Sequence, residues 1–407
     1  MDRIVNSLNN KRFVFWEEIA RDGAQAKTIL TGKQRVEIAR KHGQVFGEYG
    51  PDHLVFAAGF VSVGPEEVRA IEELSDNVDN CCLAVNCRSN FKEIEDSLNS
   101  VKNAKYHRIA YVLPISERMC QLMLHKTPEE SLNQGIEIAK FAVDKAGGIP
   151  VDVQLAGSFD ADPVFIAHAA AKLKEAGIAI THLGDTRGRL YPLEVANYMN
   201  KMLRNSASNH LYGVHFHNDL GLALANNLEC IKQGINLAAS SWLGLAERNG
   251  LVPTEILLFL LSYEKEKIFE RLGFDGRNLF LNKPDLKLLN EITKLISEYT
   301  NVPLKVTDPL VGTGVNSIST GTPFIDTNSF QPFDSEQVLG VSKKLYVTQL
   351  ANHKVIMEVA KSFGFEFTDN QVTYILEFVK KIPYQTGRAI FPDEEIKQLF
   401  ERVKKEI

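Results

Sequence analysis

Eight short β-rich runs alternate with eight longer helical runs over residues 1–265, joined mostly by short connections. That order predicts a parallel (β/α)8 TIM barrel, followed by a small, mostly helical C-terminal domain. Two further observations support the barrel. Polar clusters fall at the C-terminal ends of the strand candidates, where such a barrel carries its chemistry. No GxGxxG turn follows the first strand, which disfavours the alternative of a doubly wound open sheet.

Each element has a local reason. The strand candidates 13–16, 54–58, 81–85, 108–113, 151–155, 179–183, 211–216 and 238–243 are short and rich in apolar, β-branched and aromatic residues. The intervening stretches 33–46, 66–74, 91–101, 129–146, 163–176, 192–203, 222–233 and 253–263 are longer and read as helices. Beyond residue 265 the pattern changes. A subdomain over 266–335 holds one amphipathic helix, 285–299, and a flap-like stretch rich in Gly, Thr, Ser and Pro over 306–334. The helical subdomain 336–407 has helices expected over 345–363, 368–382 and 392–405, the second opened by a Thr368–Gln371 capping box.

Composition excludes several function classes. Net charge is −5 with no long basic block, which argues against nucleic acid or an anionic membrane as partner. The first ten residues lack the apolar core of a signal peptide, and no run approaches about 18 apolar residues, so no membrane span is expected. Five cysteines without a CxxC pair predict reduced thiols in a cytoplasm. Cys82 and Cys87 could ligate a metal, but a structural role in a strand is the stronger reading.

Four polar clusters mark the expected barrel mouth: Arg21-Asp22-Gly23-Ala24-Gln25, Gly184-Asp185-Thr186-Arg187-Gly188, His215-Phe216-His217-Asn218-Asp219 and Glu247-Arg248-Asn249-Gly250. His215 and His217, two apart on a strand, face one side and are spaced to grip one ion. Two neutral imidazoles and the Asp22 carboxylate suit a divalent metal that also binds substrate; two core histidines are the plain alternative. Arg21 beside Asp22 is placed to hold a carbonyl oxygen as it becomes an alkoxide, against the alternative of an ordinary ion pair. Thr186 offers a hydroxyl to a substrate carboxylate; a turn held by Asp185 and Gly188 explains the same spacing equally well.

These motifs resemble the 2-isopropylmalate synthase family, part of a wider group with homocitrate synthase, citramalate synthase and hydroxymethylglutaryl-CoA lyase. The resemblance rests on Arg21-Asp22-Gly23-x-Gln25, Gly184-Asp185-Thr186-x-Gly188 and His215-x-His217-Asn218-Asp219-x-Gly221-x-Ala223-x-Ala225-Asn226. It implies a divalent ion (Mg, Mn or Zn) held by Asp22, His215 and His217 and an acyl-CoA co-substrate. Arg21 would be catalytic, and Arg21, Gln25 and Thr186 would contact a small 2-oxo acid. It further implies a cytoplasmic homodimer acting in leucine biosynthesis.

Several family positions are replaced. The Glu expected near the end of strand two falls at Ala57, that of strand five at Ala156, and the His after strand four at Met119. The Asn of the metal shell falls at Leu251, with Asn249 two residues earlier. The tail segment that normally ends in His reads Ser319-Thr320-Gly321-Thr322-Pro323. His182, Asp152 and Gln154, near strands five and six, are the groups that could be considered for a replacement base, and none stands out. Three functions therefore compete: a Claisen-type acyltransferase joining acetyl-CoA to a 2-oxo acid, a carbon–carbon lyase or aldolase acting on a 2-hydroxy acid, and a non-catalytic relative that binds metal and a small acid.

Overall fold

A computed structural model of the chain describes residues 2–26, 28–263, 270, 279–320 and 329–406. The chain divides into two compact units, Met1–Pro303 and Leu304–Ile407. In the first unit eight parallel strands hydrogen-bond in sequence order and close into a barrel. They are β1 (Val14–Glu17), β2 (Leu54–Phe60), β3 (Cys82–Arg88), β4 (His107–Pro114), β5 (Val151–Ala156), β6 (Thr181–Asp185), β7 (Tyr212–Phe216) and β8 (Leu237–Ser240), with β8 pairing back onto β1.

Strand periodicity explains the core. Side chains two apart share a face, so Val14 and Trp16, Cys82 and Ala84, and Leu237 and Ala239 point inward and meet in one buried cluster. The alternate residues pack under the surrounding helices, which is why the strands are apolar on both faces. Ile4 and Leu8 of an N-terminal helix, Arg3–Asn9, join this cluster; the helix was not expected, and Asp2 starts it by accepting from the Ile4 and Val5 N–H groups.

The eight outer helices are Gly32–Val45, Pro65–Asn77, Phe91–Val101, Pro128–Ala146, Pro163–Glu175, Pro192–Arg204, Ala223–Lys232 and Thr254–Ser262. Their starts follow from the sequence: capping boxes at Thr31 and Thr127, side-chain caps at Asn90 and Asp162, and proline in the first turn at Pro128, Pro163 and Pro192. Strand eight was expected over 238–243 but ends at Ser240, because a turn at Trp242–Gly244 places Leu243 at φ +57°.

The helix Leu288–Thr300, in the stretch expected as a linker, belongs to the first unit, where it packs on Gly32–Val45. The second unit contains the helices Ser335–Leu339, His353–Ser362, Asp369–Thr386 and Asp393–Glu406, and a parallel pair β9 (Ser317–Ile318) and β10 (Lys344–Leu345). Val355, Ile375, Val379 and Phe400 are buried in its core. The Thr368–Gln371 capping box is present. The helix expected over 345–363 is shorter. Lys344 and Tyr346 donate backbone hydrogen bonds to Asn316 and Ile318, drawing 344–346 into strand pairing, and Asn352 caps the helix that begins at His353. Among the described residues no helix is long and apolar enough to cross a membrane. All five cysteines are buried and unpaired; Cys82 and Cys87 lie within β3, and burial pushes both thiols up to about 12.

Candidate active site at the barrel mouth

A cavity of about 410 Å³ opens at the C-terminal end of the barrel. Arg21, Asp22, Gln25, Thr186, His215 and His217, the six residues singled out from sequence, all line it. His215 lies on β7 with His217 just past it, Thr186 follows β6 directly, and Arg21 and Asp22 stand in the loop after β1; Gln25 sits on the short turn Gly23–Ala26 and is exposed.

Asp22, His215 and His217 form the tightest group. One ligand atom from each lies within 4.8 Å of the others, and all three side chains are buried. His215 Nε2 is 3.4 Å from Asp22 Oδ2, and the two imidazole centroids are 5.1 Å apart. Behind His215, Glu18 Oε1 lies 3.6 Å from Nδ1. That geometry turns Nε2 toward Asp22, in the manner of a carboxylate backing a metal-binding histidine. Asp22 Oδ1 also accepts the Glu247 N–H at 2.9 Å, which fixes the carboxylate.

Electrostatics favour the ligating forms of Asp22 and His217, and the proton-bearing form of His215. Burial penalises the Asp22 charge, but the Arg21 guanidinium and both imidazoles outweigh it and hold the carboxyl well below the usual range. Burial, helped by His215, lowers His217 to about 4, leaving it neutral. Burial opposes protonation of His215 too, yet hydrogen bonding to Asp22 and Glu18 raises it overall.

Arg21 is locked by a fork. Its Nε donates to Glu18 Oε2 at 2.7 Å and its Nη2 to Glu18 Oε1 at 2.5 Å, while Nη1 stands 3.3 Å from Asp22 Oδ2. Both Arg21 and Glu18 are almost fully withdrawn from solvent. Bidentate pairing of this kind fixes a guanidinium plane.

Thr186 lies at the cavity and beside the Asp185–Gly188 turn. Its Oγ1 lines the cavity and accepts the Gly157 N–H at 2.9 Å, which leaves the hydroxyl proton for another acceptor. Asp185 Oδ1 also accepts the Gly188 N–H at 3.1 Å, the turn contact that competed for this motif. Arg248 ties the loops together: it donates to both Asp219 oxygens at 3.0 Å and to the Thr186 carbonyl at 2.8 Å.

Residues 13–286 match the HMGL-like family model. The chain belongs to the HMGL-like family. Among curated relatives it is 23% identical over 399 residues to a 2-isopropylmalate synthase of Pelotomaculum thermopropionicum, covering 96% of this chain and 75% of that protein. It is 27% identical over 307 residues to 2-isopropylmalate synthase 1 of Caldanaerobacter subterraneus subsp. tengcongensis, covering 74% and 72%. Among solved structures, the HMG-CoA lyase of Brucella melitensis superposes with a TM-score of 0.56 at 19% identity, over 71% of this chain and 99% of the lyase. The hydroxymethylglutaryl-CoA lyase of Pseudomonas aeruginosa gives 0.55 at 20%, over 71% and 93%. These place the chain among condensing or lyase-type barrel enzymes of the HMGL-like family.

The replaced positions fall unevenly around this HMGL-like site. Ala156 lines the cavity and contributes only a methyl; Ala57 is buried in the barrel interior. Met119 lines the cavity from Glu117–Leu124, a helix the sequence reading missed although Ser116 caps it, and Met123 and Leu124 add to the same apolar wall. Leu251 is fully buried, and Asn249 donates to the Asp219 carbonyl at 3.4 Å rather than lining the cavity. Of the replacement bases, Asp152 is consumed by a buried ion pair with Arg108, whose Nη2 donates to Oδ1 at 2.8 Å, and it does not reach the cavity. Gln154 and His182 do line it. The tail positions Gly321, Thr322 and Pro323 lie outside the described residues. Glu18 was missed altogether; its signal was a carboxylate at the end of the first strand, three residues before Arg21.

Proposed function

We propose that this chain is a metal-dependent acyltransferase that condenses an acyl-CoA, acetyl-CoA in the simplest case, with a small 2-oxo acid, as a 2-isopropylmalate synthase does. The observation that carries the reading is the convergence of Asp22, His215 and His217 within 4.8 Å, beside Arg21, on one cavity wall. The donor set fits a divalent ion such as Mg, Mn or Zn: one carboxylate, a neutral imidazole, and a second imidazole backed by Glu18. When bound, such an ion polarises the keto and carboxylate oxygens of an oxo acid.

The chain's own groups do the rest. Arg21, held by Glu18, presents a fixed positive charge to the keto oxygen as it gains negative charge. The Thr186 hydroxyl, with its oxygen pinned by Gly157, donates to the substrate carboxylate. Gln25 closes the rim with an amide. The match to 2-isopropylmalate synthases extends over 96% of the chain, including the second unit, which supports a synthase over a lyase. Buried, unpaired thiols support a reducing cytoplasm, and a homodimer remains part of the proposal.

A second reading, a lyase or aldolase acting on a 2-hydroxy acid, is favoured by one observation: Ala156 faces the cavity where a carboxylate would deprotonate an acetyl group. A general base contributes roughly 10²–10⁴-fold in rate, so its replacement weighs against ordinary acetyl activation. The test is to supply metal-loaded protein with acetyl-CoA and a panel of 2-oxo acids while following thiol release. Release that depends on one oxo acid supports the synthase. Cleavage of a 2-hydroxy acid without release supports the lyase, and no turnover of either kind refutes both.

A further inference from the structure

Two polar side chains stand beside Val112 among the strand residues that line the mouth cavity. Gln154 of β5 and His182 of β6 are direct partners across the parallel ladder, and both line the cavity. Residues two apart on a strand share a face, so the next inward positions toward the mouth are Ala156 and Gly184. These positions place only a methyl group and a hydrogen between the pair and the mouth. Trp16 packs edge-on against the His182 ring at 4.4 Å between centroids, which fixes the plane of the imidazole.

Neither side chain is satisfied. Gln154 Nε2 and both ring nitrogens of His182 have no hydrogen-bond partner among the described residues, although His182 is 1% exposed. Buried polar atoms left unpaired are costly and rare in native proteins. Three of them on adjacent strands, beside an open cavity, mark a place where a ligand completes the bonding. Burial keeps the His182 imidazole neutral by pushing its pKa well below the usual value, so it offers one N–H and one lone pair. The unpaired atom of Gln154 is the amide nitrogen, which only donates.

We infer that Gln154 and His182 form a second ligand contact, donating hydrogen bonds to an acceptor oxygen, carbonyl or carboxylate, at the inner end of the bound molecule. The inference rests on the reading that this cavity takes a 2-oxo acid and an acyl thioester. The oxygen has two sources with the same chemistry: the far end of an oxo acid, or the thioester carbonyl of the acyl donor. In the second case the pair supplies neutral donors beside Ala156, where the acyl group is to be activated.

The test uses the full chain loaded with Mg²⁺, and calorimetric binding of 2-oxobutanoate, 2-oxoglutarate and acetyl-CoA. Gln154→Met and His182→Phe remove the donors while keeping bulk. Each lost hydrogen bond is expected to weaken binding by about tenfold. A loss confined to 2-oxoglutarate assigns the contact to the far end of the oxo acid, and one confined to acetyl-CoA assigns it to the thioester. A loss that includes 2-oxobutanoate assigns it to an oxygen the oxo acids share. Affinities within about twofold of wild type for all three ligands overturn the inference, as does failure of the wild-type protein to bind any of them. Should either variant fail to fold, wild-type protein with ¹⁵N-labelled histidine gives the answer: the His182 ring signals shift on ligand addition if the contact forms and stay put if it does not. Thiol release by the wild-type protein is scored separately. Binding that depends on the pair, without release, refutes acyl transfer and keeps the contact, whereas release with unaltered binding in the variants does the reverse.

Discussion

Glu18 and Arg21 form a buried two-point ion pair, Nε to Oε2 at 2.7 Å and Nη2 to Oε1 at 2.5 Å, three residues apart at the end of β1. The pair joins the proposed metal ligands to the arginine proposed to hold substrate, because Glu18 also stands 3.6 Å behind His215. Glu18→Ala leaves a buried guanidinium without its two-point partner. Breaking one side of a buried pair costs about 3–5 kcal/mol, and a lower urea midpoint is the expected outcome. A stability unchanged within about 0.5 kcal/mol would mean that the pair is solvated in solution.

Divalent-ion binding is expected to need all three members of the mouth cluster. Asp22→Asn and His217→Ala each remove one ligand from a set whose atoms lie within 4.8 Å of one another. Titration of the stripped protein with Mn²⁺ should show one tight site in the wild type and at least about a tenfold weaker one in each variant, with circular dichroism unchanged. Equal affinity in all three proteins removes the proposed metal site.

Much of this arrangement was legible in the sequence, and the reason is periodicity. Alternation of β-rich and helical runs marked the eight units, and the barrel rule that chemistry collects at strand ends then pointed to Arg21, Asp22, Thr186, His215 and His217, which share one cavity. Glu18 stayed hidden because a carboxylate at a strand end reads as an ordinary polar boundary until its partner is seen. The helix Glu117–Leu124 was missed because eight residues give barely two turns of periodicity. The stretch before His353 was misread because β9–β10 pairing is a contact between distant segments that no local pattern reports.

Arg248 is expected to set substrate affinity without touching the metal cluster. It joins the β7 loop through Asp219 to the β6 loop through the Thr186 carbonyl, at 3.0 and 2.8 Å. Arg248→Ala frees the loop that carries Thr186, so the oxo acid should bind about tenfold more weakly while Mn²⁺ affinity stays at the wild-type level. Lysine cannot reproduce a two-point contact with a carboxylate, so Arg248→Lys should recover little. Full recovery by lysine would show that only charge matters.

Stability should fall as pH rises from neutrality, and buried Glu17 makes a contribution that a substitution isolates. Burial lifts Glu17 to about 8, against three opposing donors, Thr254 Oγ1 at 2.6 Å and the N–H groups of Trp242 and Ile19. The folded state therefore keeps a proton that the unfolded chain releases near pH 4.5. The resulting stabilisation is complete below the unfolded value and is lost as pH climbs through the folded one. His42, 3.7 Å away and lowered by burial to about 3, works in the opposite sense, but only below its unfolded value of 6.5. Between pH 6.5 and about 8 Glu17 acts without that opposition, and the loss is about 2 kcal/mol, at 1.36 kcal/mol per unit. Urea midpoints across this window should decline in the wild type and decline less in Glu17→Gln, which is neutral throughout. Parallel declines in the two proteins would place the titrating group elsewhere and leave Glu17 charged in the core at neutral pH.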